Sequence, residues 1–167
     1  MLKRNKSLSI RPANMNDGDF VIDAIHDIVR ICLDKTNIPL IPDDLANSLW
    51  RNMIENPKDY HCLIAESEGK KVGTAVLGFH QSLNHLGPIC ELQDLYVNSD
   101  ARGTGAGARL LERVEKEAEE RGCVAIELLM PDPGTPLDKE RNEFYERKGY
   151  KLEGLSRYKP LRTTLYK

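Results

Sequence analysis

No long apolar run occurs in the chain. None of its 167 residues falls in a stretch approaching the roughly 20 apolar residues of a membrane-spanning helix. The basic start MLKRNKSL is followed by no apolar segment, so no secretory signal is expected, and the expected compartment is the cytoplasm. Cys32, Cys62, Cys90 and Cys123 form no CxxC or Cys/His spacing, so no metal site is expected. In a reducing compartment they read as packing residues. There is no internal repeat and no low-complexity tract. No glycine is followed by Lys-Ser/Thr, which excludes a Walker phosphate loop. With a net charge of −2 there is no basic surplus, so no nucleic-acid partner is expected.

What is present suits one soluble domain, 1–167, with residues 1–6 expected to be flexible. At this length roughly 70% of the unfolded chain's surface can be buried, and 40% hydrophobic with 30% charged residues is ordinary for a globular class. The charge is uneven. Residues 13–57 carry eight acids against three bases, and 138–167 carry nine bases against five acids. Solvated helix faces are the plain reading of that asymmetry.

Hydrophobic periodicity predicts the elements. SLSIRPA (7–13) reads as a strand stopped by Pro12. Apolar pairs spaced by four from Phe20 to Leu33 predict a helix. Asp43 or Asp44 starts a second helix that ends near Pro57. Residues 60–67 and 72–81 read as a hairpin, and 89–97 as a third strand after a loop at 82–88. An amphipathic helix is expected over 104–121, stopped by Gly122. A buried strand follows at 123–130. A capping box, Thr135-x-x-Asp138 with Pro136 at the first helical position, then opens a short helix that Gly149 stops. YKLEGL and RYKPLRTTLYK read as two closing strands. The order β-α-α-β-β-β-α-β-α-β-β implies an α/β (α+β) mixed sheet with helices on both faces.

The segment LYVNSDARGTGAGARLL (95–111) carries the chemistry. Arg102 and three alternating glycines, Gly103, Gly105 and Gly107, join a strand end to a helix start. The first N–H groups of a helix have no intrahelical partner and carry the positive end of the helix dipole. With little side chain in the way, they form an anion site suited to phosphate. Arg102 adds a charged donor at its mouth. Gly103-x-Gly105-x-x-Ala108 also fits a dinucleotide fingerprint, with Glu127 at a suitable distance. Two features oppose that. NSDAR separates the strand from the glycines, and too little chain follows for a second mononucleotide-binding half.

The run Arg102-Gly103-Thr104-Gly105-Ala106-Gly107 resembles the phosphate motif Arg/Gln-x-x-Gly-x-Gly/Ala of the GNAT superfamily of acyl-CoA-dependent N-acyltransferases. SIRPA and FYERKGY (144–150) resemble its first strand and its FYEKxGF segment, so the likeness covers 7–167. The resemblance implies a splayed, mostly antiparallel sheet of six to seven strands, with acetyl-CoA in the V between the strands at 89–97 and 123–130. The pyrophosphate would lie on the amides of 103–108, including Thr104, Ala106 and Ala108. The pantetheine would pair with the strand edge at Leu95, Tyr96 and Val97.

Amide formation needs an amine stripped of its proton, a polarised carbonyl and a protonated leaving thiolate. The family places a tyrosine at Tyr145 as acid toward the sulfur. A core aromatic is the alternative. Glu91 lies six residues before Val97, where histone-type members carry a base glutamate. A solvated strand face is its alternative. Asp94 competes with it. Simple alternation puts the two on opposite faces; a bulge in this strand, usual in the family, would change that. Water acting on a neutral amine is the third option. Many members carry an asparagine seven residues before the tyrosine. Here that position is Asp138, with Asn142 one helical turn nearer, so either is open for the pantetheine contact. Cys90 has no histidine arranged to activate it and reads as packing. His85 reads as a solvent-exposed loop histidine, with a place in the acceptor site as the alternative.

The resemblance implies acetyl transfer from acetyl-CoA to a primary amine in a ternary complex, without a metal. The acids of 13–57 tilt the acceptor toward a cation such as a polyamine, an aminoglycoside or a lysine side chain. The alternative is an acetyl-CoA-binding sensor or interaction module with little catalysis. No membrane partner is expected, and a homodimer is left open because family members often pair through sheet edges.

Overall fold

The computed structural model describes residues 7–154, 156–161 and 166. They form two compact units, one of residues 7–25 and 42–128, the other of 26–41 and the described residues from 129 on.

In the first unit five strands pair in chain order. β1 (Leu8–Pro12), β2 (Tyr60–Ser67), β3 (Lys70–Ser82) and β4 (Gly87–Val97) are antiparallel neighbours, and β5 (Ala125–Glu127) lies parallel to β4. A two-residue turn, Glu68-Gly69, joins β2 to β3. Both residues have positive φ (53° and 77°), the requirement of the hairpin turn that matches strand twist.

Alternation divides the sheet's side chains. Cys62, Ile64 and Val76 face one way and pack with Val21 of α1 (Gly18–Leu33) and Trp50 of α2 (Asp43–Glu55). Leu63, Ala75 and Leu77, all fully buried, face the other way. There α3 (Ala106–Glu120) lies against β3 and β4, with Leu110, Leu111 and Val114 buried. Helices therefore cover both faces, as the element order implies.

One of the acids of 13–57 is not on a solvated face. Asp17 is 1% exposed. Arg11 grips it through both terminal nitrogens (2.7 and 3.0 Å) and Lys71 adds a contact at 2.7 Å. Its Oδ2 also accepts the Asn14 backbone N–H at 2.8 Å. The two cations hold its carboxyl well below the usual carboxylate range. Arg11 reaches on to Glu66. The network ties β1, β2, β3 and the 3₁₀ turn Met15–Asp17 together.

The second unit contains α4 (Asp138–Arg147). Its start differs from expectation. Leu137, at φ 64°, is the residue before the helix, and no side chain caps it. Thr135 Oγ1 instead donates to the Asp132 carbonyl, and Asp138 accepts from Gly134 N–H. The capping box does not form because Thr135 lies in a preceding turn, its own carbonyl taken by Asp138 N–H. Gly149, at φ 87°, ends the helix as expected.

Three further expectations are corrected. α3 begins at Ala106, not 104, because Thr104 bonds back to the Ala101 carbonyl and Gly105 takes φ 93°. β5 spans 125–127, not 123–130. Of the two closing strands, 150–154 and 156–161 are not strand. The remaining positions, 155, 162–165 and 167, lie outside the described residues. The sheet thus has five strands among the described residues rather than six to seven.

Candidate active site

β4 pairs with β5 only at Ile89, Cys90 and Glu91, while its pairing with β3 continues to Val97. Beyond Glu91 the β5 side of β4 is unpaired among the described residues. Asn98 N–H bonds the Val72 carbonyl on β3. Alternation therefore turns the peptide groups of Val97 and Leu95 to the open edge, and those of Tyr96 toward β3. Of the expected trio, Leu95 and Val97 can pair with an extended ligand. Tyr96 is buried in the sheet.

The glycine-rich turn follows at once. A 3₁₀ turn (Ser99–Ala101) carries the chain to Arg102, Gly103 and Gly105. Gly103 (φ 75°) and Gly105 (φ 93°) both need the left-handed region, and a Cβ at either would meet no neighbouring atom. These glycines answer to backbone conformation and approach, not to internal crowding. Arg109 N–H is the first to find a helical acceptor, Gly105 O at 3.0 Å. The amides of 105–108 precede it. No side chain caps α3 and no acid stands in its first turn, so the positive end of its dipole is not neutralised by a side chain of its own first turn. Arg102 is anchored by Nε to the Val97 carbonyl at 3.1 Å. Its terminal amino groups have no acceptor among the described residues. That bond also occupies one of the two open-edge carbonyls.

The acids sit on the same strand. β4 carries a bulge: Val76 faces Asp94 and Leu77 faces Leu92, so Gln93 is the extra residue. Gly78 faces Glu91. Gly78 and Val76 share a face of β3, so Glu91 and Asp94 share the corresponding face of β4. The bulge cancels the alternation that would have separated them. It also explains the short β5, whose pairing stops where a bulged strand bends. Burial, with the charge of Glu91 added, pushes the Asp94 carboxyl up to about 6. Gln93 Nε2 donates to Glu91 Oε2 at 3.3 Å. Sequence reading passed over Gln93. Its only signal was Gly78, a glycine inside a strand, which marks a bulge or a close approach.

Tyr145 and Asn142 belong to the second unit. Tyr145 is part-buried, edge-on to Phe144 (5.1 Å) and Tyr150 (5.6 Å). Asn142 Nδ2 donates to Asp138 at both its carbonyl and Oδ1. Asp138 is thereby tied to its own helix through Asn142.

His85 is not the free loop residue the sequence suggests. Its Nδ1 lies 2.7 Å from Ser82 Oγ and its Nε2 3.1 Å from Glu127 Oε1, clasping the β3–β4 turn to β5. Cys90 is buried, and burial pushes its thiol up to about 12. A thiol held protonated is a packing residue, as expected.

A family model described as an acetyltransferase (GNAT) domain matches residues 58–152. The thialysine N-epsilon-acetyltransferase of Bos taurus is 31% identical over 80 residues, 44% of this chain and 47% of that protein. That of Mus musculus is 32% identical over 85 residues, 47% of this chain and 49% of that protein. The matching segment thus spans about half the length of these curated relatives. Among solved structures, an integron cassette protein from a salt-marsh metagenome superposes with a TM-score of 0.77 at 19% identity, covering 95% of this chain and 93% of that one. An aminoglycoside N-acetyltransferase in complex with CoA superposes with 0.74 at 16% identity, covering 97% and 100%. Likeness at such identity speaks for the fold.

Proposed function

The chain belongs to the GNAT acetyltransferase family, and from that premise we propose that it transfers an acetyl group from acetyl-CoA to a primary amine by direct attack in a ternary complex. The observation that carries this reading is the uncapped N-terminus of α3 beside the open edge of β4. The amides of 105–108 and the terminal amino groups of Arg102 suit a pyrophosphate, and the Leu95 and Val97 peptide groups suit the amide-bearing arm that follows it.

In this reading Glu91 and Asp94 take the proton that the ammonium must lose. Two carboxylates on one face, one of them pushed up to about 6, provide a base matched to near-neutral pH. The amine lone pair then forms the C–N bond as the C–S bond breaks. Tyr145 protonates the departing thiolate, a role that rests on the resemblance of FYERKGY to the family segment. Paired acids favour a cationic acceptor. The relatives named for thialysine and the aminoglycoside enzymes among the structural neighbours support that class.

The test is calorimetric titration of acetyl-CoA, with NAD as control, followed by thiol release on a panel of cationic amines that includes thialysine and an aminoglycoside. Saturable binding of acetyl-CoA alone, with release dependent on an amine, is the expected result. Binding without turnover on any amine would favour the sensor reading. Binding of NAD alone would overturn both.

A further inference from the structure

We propose that Gln93 is a positioning residue that holds Glu91 beside Asp94, and that position 78 is a glycine to make room for it. This rests on the reading above, in which the two acids receive the amine proton. As the extra residue of the bulge, Gln93 has no partner on β3. Its side chain is exposed, yet it turns back along the strand face to donate to Glu91 Oε2 at 3.3 Å.

That crossing lies over Gly78. A Cβ there would stand 2.9 Å from Gln93 Nε2 and 3.6 Å from Glu91 Oε2. Gly78 has no left-handed φ, so backbone conformation does not demand glycine. The nearest atom above it is the far end of the exposed Gln93 side chain, which a Cβ would push aside. A strand interior otherwise loses stability by carrying glycine, so the missing side chain has a use.

The physical need is plain. Two like charges on one face repel, and an untethered Glu91 has rotamers that carry it away from Asp94. An amide N–H on its far oxygen removes that freedom. A carboxylate at 93 would add a third charge, and an aliphatic side chain would offer no donor. The ionisable side chains sharing this face are Asp94 and Tyr96 on β4, His80 on β3, Tyr60 and Cys62 on β2, and Glu127, which pairs with Glu91 on β5, all placed by alternation and register.

The test uses the full chain and side-chain carboxyl NMR titration, which needs no knowledge of the acceptor. In wild type Asp94 titrates high partly because Glu91 is held near. Q93M frees Glu91, so the Asp94 midpoint falls toward the ordinary carboxylate range. G78A displaces the Gln93 amide and gives the same fall, and the double variant goes no further than either. E91Q sets the limit of the fall, and adding Q93M to it changes nothing. With thialysine as acceptor, Q93M lowers kcat about fivefold, the scale of one net hydrogen bond, without changing KM for acetyl-CoA. An Asp94 midpoint unmoved by Q93M, or moved equally by Q93M in the E91Q background, overturns the proposal. Thermal melts check G78A for folding, and the exposed Q93M carries the test if G78A fails. Transfer unaffected by E91Q and by D94N would instead overturn the proton-acceptor reading while leaving the NMR result to stand on its own.

Discussion

Replacing Asp17 by asparagine isolates the contact that fixes the first strand, its 3₁₀ turn and the β2–β3 hairpin to one another. The side chain is 1% exposed and holds two cations through three contacts of 2.7–3.0 Å, plus one backbone N–H at 2.8 Å. Asparagine keeps the shape and one acceptor but turns an NH₂ group toward a guanidinium. Breaking a buried ion pair on one side costs about 3–5 kcal/mol. Here the two cations keep 32% of their side-chain surface and Arg11 retains Glu66, so they rehydrate in part. The cost falls at the lower end, about 3 kcal/mol. For a chain of this size that is a drop of roughly 6–12 °C in Tm. Urea unfolding at pH 7, with equal m-values showing that both proteins expose the same surface and with fluorescence and circular dichroism transitions coinciding, is the assay. The pH dependence adds a second constraint. The folded carboxyl is depressed, so its contribution is fully present above the unfolded value of about 3.9 and is lost as pH falls below it. The gap between wild type and D17N should therefore start to narrow below about pH 4 and keep narrowing as pH falls toward the folded carboxyl's own, much lower range. A loss under about 1 kcal/mol at neutral pH, or a gap that does not narrow as pH falls below about 4, would refute the reasoning.

Three further outcomes are expected. Wild-type kcat/KM should rise with pH through about 6, where Asp94 loses its proton, and D94N should flatten that limb and lower kcat/KM by roughly tenfold or more, read from pH profiles of thiol release. Gly105→Ala places a Cβ at φ 93° in open space. It should cost about 1 kcal/mol of loop strain and weaken acetyl-CoA binding by calorimetry while leaving the far-ultraviolet spectrum unchanged. His61 is half-buried 3.6 Å from Glu117, and its partial burial, outweighing that neighbour, lowers its folded pKa. Its protonation thus favours the unfolded chain, so stability should fall as pH drops below about 6.5. H61Q should lose less between pH 7.5 and 5.5 in urea titrations.

What local chemistry dictates was readable in the sequence. The helices α1 and α2, the hairpin and the Gly-rich turn announce themselves because apolar spacing, proline and glycine act on neighbours a few residues away. Gly103 and Gly105 could be placed just ahead of a helix start with free amides because every helix start leaves its first amides without an intrahelical partner, whatever surrounds it. Gly122 and Gly149 stop their helices for an equally local reason. What depends on partners distant in the chain was not readable. Asp17 looks like any acid at a helix start until Arg11 and Lys71 arrive from two strands. Thr135 and Asp138 carry the spacing of a capping box, but the preceding turn claims both. Above all, the sequence cannot say on which side of β4 Asp94 lies. A one-residue bulge reverses the face of everything beyond it, and the bulge exists only because β3 pairs with β4 in that register. Residue types set the available chemistry, and strand pairing decided which groups share a face.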